Sequence, residues 1–507
     1  RELNRLEFIY ERLVGDGTIY VFRHALTQEA AYGSLLERHR RAHHGTVGGA
    51  LEDLYHDRYD EVAELLAFHF GRSENVDRAV DYAILAGEKS QRRWANSEAL
   101  EYFEQALAQL RVMPDTSTNR LRHVDAVLKQ ADVRYGLGQY AEYLHILQEI
   151  RDLVQQTDEP RRRAIWHCWT GLLHGVTGSR PDIAIEHCRE AASIAGANQL
   201  AEINAFADSC LAQVYIVAGR LLEAIHSGER ALAYFEGRGD HWWAARTLWF
   251  LTVAANYLGE WRASLGYCRR GIEHGAALGS PLSRSVEPQG RARMGLAYIQ
   301  QGNIERGLRC CDEALALAPI LPRDAALAKV GRGYGQIKAG RFDVGFAELR
   351  EALEWQKRSG FRFTYLSFTL FLAEGHLRRG DTANARPLLD DLREGSKAGG
   401  YPQIEGRACW LMAECLAGEG SAAAEGYIER AIELLERVGA RSDIAKAMLT
   451  RAALRQRVGD RAEAQKLLKR AAAIFAEIGT LDEPARVQAA LDALDRGSPI
   501  ALLSGAA

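Results

Sequence analysis

His39 and His43, in the run HRRAHH, stand four residues apart, a spacing at which two imidazoles on one helical face can share a metal ion. No third ligand stands in register with them, so the run reads as the solvated basic face of a helix and no metal site is expected. Cys168, Cys188, Cys210, Cys268, Cys310, Cys311, Cys409 and Cys415 form no C-x-x-C pair and are expected to be reduced, buried thiols. Wrapping a triphosphate takes a glycine-rich turn ending in Lys and Ser or Thr, and G-x-x-x-x-G-K-[ST] occurs nowhere. The glycines of GRGYGQ, residues 331–336, fall where one helix must approach another, which is a packing role. Neither a G-x-S-x-G for a nucleophilic serine nor an H-E-x-x-H for zinc is present. Catalysis therefore has no candidate residue, and no cofactor is expected in this chain. RRR at 161–163 opens a helix, where positive charge opposes the dipole, and reads as a solvated end.

If no residue does chemistry, the elements that hold the side chains become the subject. A chain of 507 residues is too long for one compact core, so several domains or an elongated repeat array are expected. Hydrophobic residues at 47%, charged residues at 26% and only eleven prolines suit a folded chain dominated by helix. Sixty-four Lys plus Arg against sixty-seven Asp plus Glu leave a net charge of -3, which argues against nucleic acid or an anionic membrane as a partner. Apolar stretches are broken well short of the roughly 20 residues a membrane span needs, and no basic-then-apolar leader opens the chain. A cytoplasmic location is expected. Residue 1 is Arg and the chain opens inside a helical pattern, so an upstream part of a longer protein is expected as well.

The main signal is self-similarity. A turn glycine is followed by a small residue five positions later and another twelve later: Gly219/Ala224/Ala231, Gly259/Ser264/Gly271, Gly302/Gly307/Ala314, Gly340/Gly345/Ala352, Gly380/Ala385/Leu392 and Gly459/Ala464/Ala471. Looser copies stand at Gly138/Tyr143/Ile150, Gly178/Ala184/Ala191 and Glu419/Ala424/Ala431, and a half-copy at Ala99 and Ala106. The period is near 40 residues. Seven residues before the turn, Ala131, Gly171, Ala212, Gly295, Gly333, Ala373 and Ala452 give the matching close-packing point, with Thr252 as an exception. The glycine is expected to end a first helix in the left-handed conformation, and the small residues to let the second helix come close. This register, with Tyr215 and Tyr298 three residues past the first small position, resembles the tetratricopeptide repeat over roughly residues 95–480. The expected fold is all-α: a tetratricopeptide-repeat superhelix at 111–480, preceded by a helical linker at 46–110 and followed by a capping helix and frayed tail at 481–507.

The first 45 residues break the pattern. Leu3, Leu6, Tyr10, Leu13 and Val14 fall on one helical face, GDG at 15–17 makes a turn, TIYVF at 18–22 suits a strand, and Thr27 is placed to cap the next helix. That order reads as the end of a winged-helix-like module, residues 1–45. YVFRHALTQEAAYGSLL, VGGALE and DRAVDYAILAGEKS resemble bacterial signalling ATPases, in which an AAA-like nucleotide-binding domain precedes a winged helix and a tetratricopeptide array. His43 departs from that family, which usually carries Leu there. The resemblance implies an upstream nucleotide-binding domain in cis that binds ATP and Mg, often with a class III adenylate or guanylate cyclase further upstream. It places Arg23 and His24 near an interdomain junction.

Solenoids of this kind usually bind on the concave side, which first helices line. Counting back from the turns puts Gln213, Trp249, Asn256, Tyr257, Tyr334, Lys338, Glu374 and Arg378 there. Their mixed aromatic and polar character suits a protein, peptide or small-molecule effector, although Trp249 and Tyr257 equally fit packing between repeats. The expected function is a non-catalytic regulatory segment that senses a partner and controls an upstream switch. A passive scaffold, or the sensor array of an ATP-dependent transcription regulator, is the alternative.

Overall fold

The computed structural model describes residues 2–14, 17–178, 180–279, 283–317 and 321–503. Two compact units divide between Val133 and Arg134, inside the short helix Ala131–Leu137.

In the first unit the expected helix on Leu3 to Val14 is replaced by one helical turn, Glu2–Arg5, and a β-hairpin. Glu7 takes φ 59, which stops the helix, and Ile9–Val14 then pairs antiparallel with Gly17–Phe22, Tyr10 opposite Val21 and Glu11 opposite Tyr20. Pairing satisfies the backbone there, whereas a helix would have had no core to cover: Leu13 is 79% exposed. Gly15 and Asp16 of the expected turn lie outside the described residues. Helix Ala25–Ser34 begins at an extended His24, with no side-chain cap, so Thr27 stands inside it rather than before it. His39 and His43 are exposed, and no cluster able to hold a metal occurs among the described residues.

Packing begins with Glu37–Leu54, Ala63–Phe70 and the hairpin Val76–Arg92/Asn96–Leu110. Val62, Leu66, Phe70 and Tyr82 share a core, and Gly87 is backed by the Phe103 ring, which a Cβ there would strike. Helix Ser117–Leu128 belongs to this unit, because Arg122 reaches Asp77 at 2.7 Å and Asp81 at 3.1 Å. The division thus lies beyond the expected boundary at residue 110.

The second unit is a succession of helical hairpins: Pro160–Thr177 with Pro181–Ala197, Ala201–Val217 with Leu221–Gly237, His241–Leu258 with Trp261–Ala277, and so on to Arg441–Arg457 with Arg461–Ile478. Turn glycines do end the first helices, with φ of 83 at Gly178, 73 at Gly219 and 81 at Gly459. In the looser copy the turn residue is Gly420, φ 73, one position past Glu419. A second glycine series closes the turns between hairpins, at Gly239, Gly279, Gly360, Gly400, Gly439 and Gly479. At two tight crossings both helices contribute glycine: a Cβ on Gly295 would lie 2.8 Å from the Gly307 carbonyl, and one on Gly333 2.9 Å from that of Gly345. The glycines of GRGYGQ are packing positions: Gly331 faces Cys311, Gly333 faces Gly345 and Gly335 faces Leu308. Among the free cysteines seven are buried and Cys310 is half-buried. The RRR run is paired rather than simply solvated, Arg161 with Glu202 and Arg162 with Glu159.

The array also touches itself over long range. Turn glycines of the earlier hairpins abut the inter-hairpin turns of the later ones: Gly138 against Trp355 and Ser359, Gly178 against Arg362 and Tyr401, Gly219 against Pro402 and Val438, Gly259 against Ser442 and Ile478, Gly302 against Asp482. Gln403 donates to the Ile216 carbonyl at 2.6 Å and the Trp261 indole to Thr480 across 219 residues. By contrast, the turn glycines Gly340, Gly420 and Gly459 meet open space. One superhelical turn therefore rests directly on the next.

Candidate functional site on the first helices

First helices of distant hairpins meet one another at several of the expected positions. The Tyr257 hydroxyl, at the end of His241–Leu258, bonds Ser367 Oγ of Arg362–Arg378 at 2.8 Å, and burial raises its pKa. Glu374 is fully buried and accepts from the Tyr334 hydroxyl at 3.0 and 3.1 Å and from Arg378 Nε at 2.9 Å, with Arg407 at 3.4 Å. Burial alone would push its carboxyl up. The positive charges of Arg378, Lys446, Arg407 and Lys338 outweigh that and hold it down at about 2. Lys338 pairs with Asp482 at 2.5 Å and donates to the Ile299 carbonyl at 3.1 Å, while burial lowers its ammonium pKa.

Of the residues expected to form an open binding face, the structure thus unites Tyr334, Glu374 and Arg378 in one ion-paired cluster, with Lys338 close enough to act on Glu374 electrostatically. The cluster is closed: the Tyr334 ring stacks on Phe371 at 4.1 Å and is 1% exposed. Trp249 is not a contact surface at all. It fills the space left by Gly271 and Gly290 and shares a core with Ala245 and Val286, which is the packing role an aromatic at helical spacing also fits. Gln213 is buried, and Asn256 accepts from Ser264 Oγ at 2.6 Å within its own hairpin. In the other unit, Arg23 pairs with Glu7, both well exposed, and His24 is exposed at a helix start.

Two residues outside the expected set carry the most informative geometry. After Gly497, φ 69, ends the capping helix Glu483–Arg496, the chain runs back over the first helices of the last two hairpins. Gln456 donates its amide to the Ser498 carbonyl at 2.8 Å and accepts the Ile500 N–H at 2.8 Å, and Glu414 Oε2 accepts the Leu503 N–H at 2.8 Å. Ile500, Leu502 and Leu503 are buried. The tail is ordered through Leu503, not frayed as expected, because the Ser498 carbonyl and the Ile500 and Leu503 N–H groups are hydrogen-bonded and three apolar side chains are buried. Residues 504–507 lie outside the described residues.

Glu414 stands six residues before Gly420, the position Glu374 holds before Gly380 and Tyr334 before Gly340. Counting from Glu419 instead lands on Ala413, which is how Glu414 escapes the sequence pattern. Gln456 stands three before Gly459, as Asn256 does before Gly259. Among the described residues no helix is long and apolar enough to cross a membrane.

No family model matches the chain, and no curated protein does. Among solved structures, a Rap protein complexed with competence and sporulation factor is similar at 12% identity and TM-score 0.52, over 71% of this chain and 98% of that one. NprR in complex with its cognate peptide NprX is similar at 11% identity and TM-score 0.52, over 70% of this chain and 99% of that one. At such identities the likeness is one of fold: this chain is an all-α, tetratricopeptide-like helical-repeat solenoid.

Proposed function

We propose that the chain is a non-catalytic regulatory segment whose solenoid receives a peptide or protein partner on its concave side. The observation that carries this reading is the pair Gln456 and Glu414, which hydrogen-bond the main chain of the irregular segment Ser498–Leu503. Main-chain recognition with apolar anchors is how folded domains commonly hold extended peptides. The similar Rap and NprR structures, one complexed with competence and sporulation factor and the other with its cognate peptide NprX, support it through fold alone. On this reading the partner favours one arrangement of the array and so biases an upstream nucleotide-binding domain, where ATP and Mg would bind, and through it an output domain such as a nucleotide cyclase. Exposed Leu3, Leu6, Tyr20 and Leu26 in the first unit give a neighbouring domain apolar surface to rest on. The test is made in the longer protein, comparing ATP turnover and output with the array intact and with residues 134–507 removed. A several-fold change, together with loss of any partner response, is expected; identical turnover and response would refute the regulatory role.

A further inference from the structure

The tail is the chain's own answer to what the first helices of its last two hairpins accept. Gln456 bonds the carbonyl of one residue and the N–H of the residue two further on, the spacing at which main-chain groups share one side when a chain is extended. This recognises backbone rather than sequence. Glu414 adds a third main-chain contact three residues along, and Glu414 itself is fixed by Thr450 Oγ1 and faces Arg486 at 3.6 Å. Specificity comes from the alternation beneath: Ile500 and Leu502 are buried while Pro499 and Ala501 are exposed, and Leu503 is buried at the end.

We infer that Ser498–Leu503 is a resident, displaceable occupant of a peptide site formed by Gln456 and Glu414, and that an incoming extended peptide with apolar residues at the Ile500, Leu502 and Leu503 positions must compete with it. This rests on the peptide-receiving role proposed above and adds a built-in competitor. An intramolecular segment acts at a high effective concentration, so the site stays closed to weak or poorly matched peptides. The three main-chain bonds end on the side chains of Gln456 and Glu414 and not on helix backbone, and only Gly497 and Ser498 link the tail to the capping helix, so release leaves the hairpins' own backbone bonds in place.

The experiment uses the whole chain and a labelled synthetic peptide, SPIALLSGAA, followed by fluorescence anisotropy. Ile500→Asp with Leu503→Asp places two charges in apolar positions and should free the tail, so the peptide should bind this variant at least tenfold more tightly than the wild-type chain. Adding Gln456→Ala to that variant should remove most of the gain. Equal binding to wild type and variant overturns the inference. Should the variant fail to fold, hydrogen exchange on the wild-type chain decides: protected Ile500 and Leu503 amides that lose protection as unlabelled peptide is added are expected. Amides that exchange at the unfolded rate, or that stay protected at saturating peptide, overturn it. A partner that binds the array without any effect of the tail sinks the competitor but leaves the proposed function standing.

Discussion

Glu374 and Glu414 occupy the same position in successive hairpins, 40 residues apart, and both are fully buried. Their surroundings differ. Glu374 is enclosed by side chains, with two guanidiniums and a phenol on its oxygens and Phe371 stacked over the phenol. Glu414 has one cation at 3.6 Å, a threonine hydroxyl, and an oxygen left for a main-chain N–H. The same carboxylate position therefore serves as a structural keystone in one repeat and as a peptide acceptor in the next. What changes its role is the number of cations around it: Arg378 of its own helix and Arg407 of the next first helix for Glu374, Arg486 of the capping helix alone for Glu414.

The comparison breaks most visibly at Glu374. Glu374→Ala removes the buried acceptor shared by Tyr334, Arg378 and Arg407, leaving Arg407 only Asp443 at 3.6 Å, and should cost about 3–5 kcal/mol in denaturant unfolding. A loss below about 1 kcal/mol would show that the cluster is not a keystone. Next is acid. The Glu374 carboxyl is held at about 2, below its ordinary 4.5. Its stabilisation, about 3 kcal/mol, is therefore complete above pH 4.5 and is lost as pH falls toward 2. Glu374→Gln should flatten that part of the stability profile, measured as midpoint denaturant concentration against pH. Glu414→Ala should cost less, about 1–3 kcal/mol, since Arg486 keeps some solvent and retains Glu483. Its distinguishing mark is loss of Leu503 amide protection, which Glu374→Ala should leave in place. Smallest is Gln456→Ala, about 1 kcal/mol, seen as faster exchange at Ile500 with little change in global unfolding.

Much of the fold is readable in the residues. Turn glycines and their paired small residues locate the hairpins because a left-handed turn and a close helix crossing both exclude bulky side chains. The site is less readable. Counting from the turn finds Tyr334, Glu374 and Arg378, but says nothing of whether they face solvent, since that depends on side chains from helices far along the chain, such as Arg407 and Asp482. A one-residue slip at Glu419 hides Glu414. The opening hairpin is misread because apolar residues at helical spacing say nothing about whether a core exists to receive them.

A solenoid of stacked repeats ordinarily behaves like a spring, each coil responding to its neighbours and little else. Here the coils are seated on one another from Gly138 to Asp482. Stretching or tightening at one hairpin must therefore be shared by the coil above or below it. Such a body should melt as a block, and a ligand that alters its pitch at one point should be felt along its whole length.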